Sequence, residues 1–185
     1  MEQREDGAAQ DSGAAQGPNS ADTPFWTFSV ALYDRPGVKE ACLALQDRAR
    51  IDVNLLLFCC WAAQEGKGRL TRAEIQSAMA VVAVWRVQVL QPLRRVRGRL
   101  RKGGAPDESR LREDLLKAEL AAERIEQRRL YAGLAQEPAA RGRPADRRRA
   151  DARYNCDIYF DEIGVALGDA LAPALDTVVE AATRD

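Results

Sequence analysis

The stretch Ile51-Asp52-Val53-Asn54-Leu55-Leu56-Leu57-Phe58-Cys59-Cys60-Trp61-Ala62-Ala63 decides the fold. Its nine residues from 55 to 63 form an unbroken apolar run, far short of the about 20 needed to cross a bilayer. A segment apolar on every side at helical length reads as a helix buried in the middle of a protein. Asp52 supplies its N-cap and Gly66-Lys67-Gly68 its stop, which bounds a central helix at 53–65. Everything else in the chain reads as amphipathic helix able to wrap it. The expectation is an all-α, single-domain bundle of six or seven helices around that core.

At 185 residues the chain is long enough to bury a core without staples. Its 28 basic and 28 acidic residues balance, so net charge argues for no polyanionic partner. There is no histidine, which excludes a Ser-His-Asp triad, a zincin and a carbonic-anhydrase-like zinc site. The cysteines Cys42, Cys59, Cys60 and Cys156 form no Cys-x-x-Cys. Vicinal Cys59 and Cys60 on a helix point about 100° apart, so these thiols read as small buried apolar residues of a reducing compartment. The N-terminus shows no hydrophobic signal region, and the cytoplasm is the expected location.

Taken in order, residues 1–22 lack large apolar side chains and read as a disordered tail ahead of a helical domain at 23–182. Thr23-Pro24 opens a short aromatic-rich helix that Arg35-Pro36-Gly37 ends. Val38, Ala41, Cys42, Leu45 and Ala49 mark one face of a second helix. Thr71-Arg72-Ala73-Glu74 is a capping box. The helix it opens meets Pro92, where it either kinks or gives way to a new one. The helix from Asp107 to about Leu134 carries a stripe of Leu111, Leu115, Ala118, Ala122 and Ile125, with Leu116, Leu120, Leu130 and Leu134 beside it. A Pro/Arg-rich linker is expected at about 136–146. The charge run Asp146 to Asp151 is able to enter a single last helix, which from Tyr154 is expected through Phe160, Ile163, Leu167, Leu171, Leu175 and Val178, bent or ended at Pro173.

Several motifs carry a resemblance. These are Phe25-Trp26-x-Phe28-Ser29, Gly37-Val38-x-x-Ala41-Cys42-Leu43-x-Leu45-Gln46 and Asp52-Val53-Asn54-Leu55-Leu56-Leu57-Phe58-x-x-Trp61. Trp85, Pro92-Leu93-Arg94-x-x-Arg97 and Ala118-Glu119-Leu120-x-Ala122-Glu123 continue them. Together they resemble a family of small, helical bacterial proteins of unknown function, over roughly residues 24–134. The resemblance implies a helical cytoplasmic protein and brings no activity with it.

Three features compete as functional sites. The stretch 94–102 carries Arg94, Arg95, Arg97, Arg99, Arg101 and Lys102 with no acid, whereas 154–185 holds seven acids and one arginine. The two either neutralise each other or face partners. Trp26, Phe58, Trp61 and Trp85, with Asn54 at the mouth of the central helix, are candidates to line a cavity for an apolar molecule such as a lipid or isoprenoid. Asn54 reads first as a first-turn residue that caps backbone donors or bonds a neighbouring helix. Asp157, Asp161 and Glu162 form an acidic face, and without histidine no di-metal motif is available. The leading reading is a non-enzymatic interaction or regulatory module that meets a protein partner through the basic helix 93–102. The alternative is a binding protein for an apolar small molecule. No catalytic residue, cofactor or metal ligand is assigned, and neither a nucleic acid nor a transmembrane segment is expected.

Overall fold

The computed structural model describes residues 22–134 and 142–184; the expected tail lies almost wholly outside them, as does most of the expected linker. Among the described residues there are seven helices and no strand. They are α1 (Pro24–Tyr33), α2 (Val38–Ala49), α3 (Val53–Gln64), α4 (Arg72–Arg99), α5 (Pro106–Leu134), α6 (Ala145–Glu162) and α7 (Ala172–Thr183).

Helix α3 is the hub. Every residue from Val53 to Ala63 is buried, because α1, α5, α6 and α7 pack around it. Phe25, Phe58, Trp61 and Tyr131 form a chain of tilted and edge-on rings, with centroids 5.3–6.1 Å apart. The starts of the helices are fixed by short-range chemistry. Thr23 Oγ1 accepts the Trp26 N–H, Asp52 accepts the Asn54 N–H at 2.9 Å, and Thr71 with Glu74 closes a capping box.

Pro92 does not end α4. Residues 86–90 widen into a π turn, with the Gln91 N–H bonded to the Arg86 carbonyl, and the helix runs on to Arg99. Proline has no N–H and crowds the preceding turn, and an inserted residue relieves that crowding. Helix α4 is long and apolar enough, by length and composition alone, to cross a membrane. One side of it is nevertheless packed into the bundle through Ile75, Val82 and Leu90.

Two expectations are corrected. The last helix is not single: α6 ends at Glu162, Gly164 takes a left-handed φ of 67°, and α7 starts afresh at Ala172 with Pro173 in its first turn. A glycine permits that backbone and a proline favours that start, so the apolar period bridged a corner. The α5 stripe is also displaced. Leu111, Leu116 and Leu120 are exposed, whereas Glu119, Ala122, Glu126, Gln127 and Leu130 are buried. The first half of α5 lies outside the core, and only its second half packs on α3 and α1.

Candidate functional site

Asp52 begins the site. Its Oδ1 caps α3, its Oδ2 meets Arg86 Nε at 3.1 Å, and its own N–H donates to the Tyr159 hydroxyl at 2.8 Å. Two residues on, Asn54 Nδ2 donates to Glu126 Oε2 at 2.5 Å and Asn54 Oδ1 accepts from Gln127 Nε2 at 2.8 Å. A polar chain thus runs from α6 through α3 to α5 in an otherwise apolar core. Glu126 is 0% exposed. Burial, reinforced by the Asp52 charge, raises its carboxyl to about 8, against the pull of the Asn54 amide. Glu126 therefore keeps its proton at neutral pH.

The chain opens at Gln127 into a cleft of about 270 Å³ between α1, α2, α3, α5 and the Arg94 turn of α4. Trp26, Val30, Tyr33, Leu57 and Leu120 give it apolar walls; Ser29, Asn54, Arg94, Glu123 and Gln127 give it polar ones. Ser29 Oγ and Gln127 Oε1 are buried and have no hydrogen-bond partner. Burying such atoms unpaired costs about 1–3 kcal/mol each, and both side chains border the cleft. The Tyr33 hydroxyl is pushed up to about 12, chiefly by burial. Arg94 is held at the rim by Glu123 at 2.6 Å.

The residues singled out in the sequence are only partly brought together. Trp26 and Asn54 share this cleft. Phe58 lines a different one, of about 120 Å³, beside Ala78 and Leu130. Trp61 is 2% exposed inside the ring cluster. Trp85 lies elsewhere, donating Nε1–H to the Ala122 carbonyl at 3.0 Å beneath the Arg129 guanidinium.

The basic stretch divides. Arg94 pairs with Glu123, and Arg97 with the nearly buried Glu119, so α5 holds this end of α4. Arg95, Arg99, Arg101 and Lys102 are exposed and have no ion-pair partner among the described residues. The acids of the C-terminal helices do not reach them. Asp161 and Glu162 pair with Arg72, Asp157 and Asp176 with Arg153, and Glu180 with Arg184. Among the described residues no acidic or thiol group clusters into a metal site. All four cysteines are free and buried, and burial pushes the Cys42 thiol up to about 12.

Glu126 and Gln127 were not singled out in the sequence. The signal for them was register: Glu119, Ala122, Glu126 and Leu130 recur at steps of three and four, which puts two carboxyls on a buried face.

No curated protein and no solved structure matches this chain. Residues 24–130 match the family described as "Protein of unknown function (DUF2390)". That segment contains Asp52, Asn54, Glu126, Gln127 and every residue of the cleft, and the chain belongs to that family.

Proposed function

We propose that the protein is a non-enzymatic binding module whose cleft takes a small, uncharged amphipathic molecule. The observation that carries this reading is the pair of buried, unpartnered atoms, Ser29 Oγ and Gln127 Oε1, lining one cleft of about 270 Å³. Gln127 Oε1 is an acceptor, so the ligand brings an N–H or O–H donor to it. Trp26, Leu57 and Leu120 take the apolar body. Arg94 and Glu123 neutralise each other at the rim, and the charge left in the lining is the Asp34 carboxylate, which disfavours an anionic head group.

N-phenylnaphthylamine, a neutral fluorophore with one N–H and an apolar body, is a suitable probe. Wild-type protein should blue-shift and brighten its emission in a saturable titration. Leu120→Trp, made at a half-exposed wall, should abolish the signal without lowering the melting temperature. Unsaturable binding, or equal binding by Leu120→Trp, decides against the cleft.

A second reading rests on a different observation. The four unpaired cations at 95–102 supply a surface for an acidic protein partner. Their charge is compatible with a module that both holds a small molecule and docks.

A further inference from the structure

The exposed side of α4 is an unusual surface. Between Ile75 and Leu93 the only charged residue is Arg86, and that side chain turns inward to Asp52. Outward stand Ser77, Ala80, Val81, Ala83, Val84 and Val87, with Val84 64% and Val87 58% exposed. Only 22% of the apolar 18-residue window of this helix is buried. The stripe is charge-free for about 24 Å of helix, at 1.5 Å per residue, and its small side chains allow a second helix to approach closely.

The two ends of the stripe differ in sign. Beyond its C-terminal end lie the unpaired Arg95 and Arg99. The π turn adds one residue and rotates the remainder of α4 by about 100°, which brings Val96 and Arg99 round to the Val84 side. At the N-terminal end one arginine, Arg72, pairs with two carboxylates, Asp161 and Glu162, and the first turn also carries Glu74. The Asp161 side chain is 71% exposed.

We propose that this face docks on a second copy of itself, with the two α4 helices antiparallel about a twofold axis near Val84. In that arrangement residue 84 + n faces residue 84 − n. Arg95 of one protomer then lies opposite Ala73 of its partner, within reach of the Glu74 and Asp161 carboxylates. The surface is self-complementary: neutral against neutral at the centre, cations against excess acids at both ends. The same polarity disfavours an anionic membrane, because the acidic end would be repelled by it. One helix face falls at the small end of the interfaces that hold proteins together, below about 1,200 Å² in total, so the dimer is concentration-dependent.

Sedimentation velocity with light scattering, from low micromolar to millimolar protein, tests this. The wild type should pass from monomer to dimer. Val84→Asp should stay monomeric with unchanged circular dichroism and melting temperature. Arg95→Glu with Arg99→Glu should weaken the dimer by roughly tenfold, and adding Asp161→Lys should restore it. A wild type that is monomeric throughout, or a Val84→Asp variant that dimerises equally well, overturns the proposal. So does a monomer that floats with phosphatidylglycerol vesicles, which would assign the face to a lipid surface. An unaffected Arg95→Glu/Arg99→Glu variant overturns the antiparallel arrangement.

Discussion

Glu126 holds a protonated carboxyl where a glutamine would serve as well sterically, and its raised pKa of about 8 makes it the most informative single residue. Unfolded, the group titrates near 4.5. Between these values the folded state binds the extra proton, so raising the pH removes stability progressively until the folded group ionises. Glu126→Gln keeps the shape and the bond to Asn54 while deleting the proton equilibrium. Its melting temperature should fall less than that of the wild type between pH 5 and pH 8, with the variant at least as stable at the upper end. Parallel wild-type and variant curves would show that Glu126 is ionised in the fold. Trp61 makes a different case. Its ring packs on Phe25, Phe58 and Tyr131 at 2% exposure, and Trp61→Ala should cost about 3–5 kcal/mol in chemical denaturation. A loss below about 1 kcal/mol would contradict the packing. Sequence made Trp61 readable because its whole neighbourhood is apolar. It made Asn54 readable as a cap, a cross-helix donor or a cavity-lining group but not which partners it meets, since these lie 72 and 73 residues away and no local pattern joins them.

At the scale of the element, the helix starts with a side-chain cap were legible, whereas the starts of α6 at Ala145 and α7 at Ala172 and the corner between them were not. Thr23, Asp52 and Thr71 act within three residues of themselves, so their role is written locally. Gly164 was visible too, but the apolar spacing of Phe160, Ile163, Leu167 and Leu171 runs across it unbroken. A chain that folds back on the same core keeps presenting apolar residues to it, and period alone cannot separate that from a straight helix. Asp151 shows how firmly α6 is set. Its side chain is 1% exposed and meets Arg143 at 2.6 Å and Arg69 at 3.1 Å. Asp151→Ala removes a buried carboxylate from arginines that reach water and should cost about 1.5–3 kcal/mol, read as a drop in denaturation midpoint. A loss under about 1 kcal/mol would mean that the arginines find water instead.

For the whole molecule, charge distribution is the property to test. The four cations at 95–102 repel one another, and among the described residues none of the C-terminal acids offsets them. Changing Arg95, Arg99 and Lys102 together to glutamine should leave the melting temperature equal or higher at low salt, with the difference shrinking as salt is added. A salt-insensitive drop in stability would reveal an intramolecular partner. The basic run 94–102 was plain in the sequence, yet its compensation by Glu119 and Glu123 was hidden because Leu111, Leu116 and Leu120 were read on the packed side of α5, whereas only Leu130 and Leu134 of that row are buried.

The family match stops at residue 130, but the core does not. Asn155 holds the Cys59 and Gly68 carbonyls, Tyr159 anchors Asp52, and α7 lies along α2 and α3. Whatever inheritance the matched segment records, its own folding is unfinished. Expressed alone, residues 22–134 would offer solvent the flank of α3 that Cys60, Leu56 and Cys59 occupy, and would collapse, aggregate or borrow a cover from elsewhere. A boundary drawn from sequence kinship therefore cuts through the core, to which the last two helices contribute buried side chains as far as Thr183.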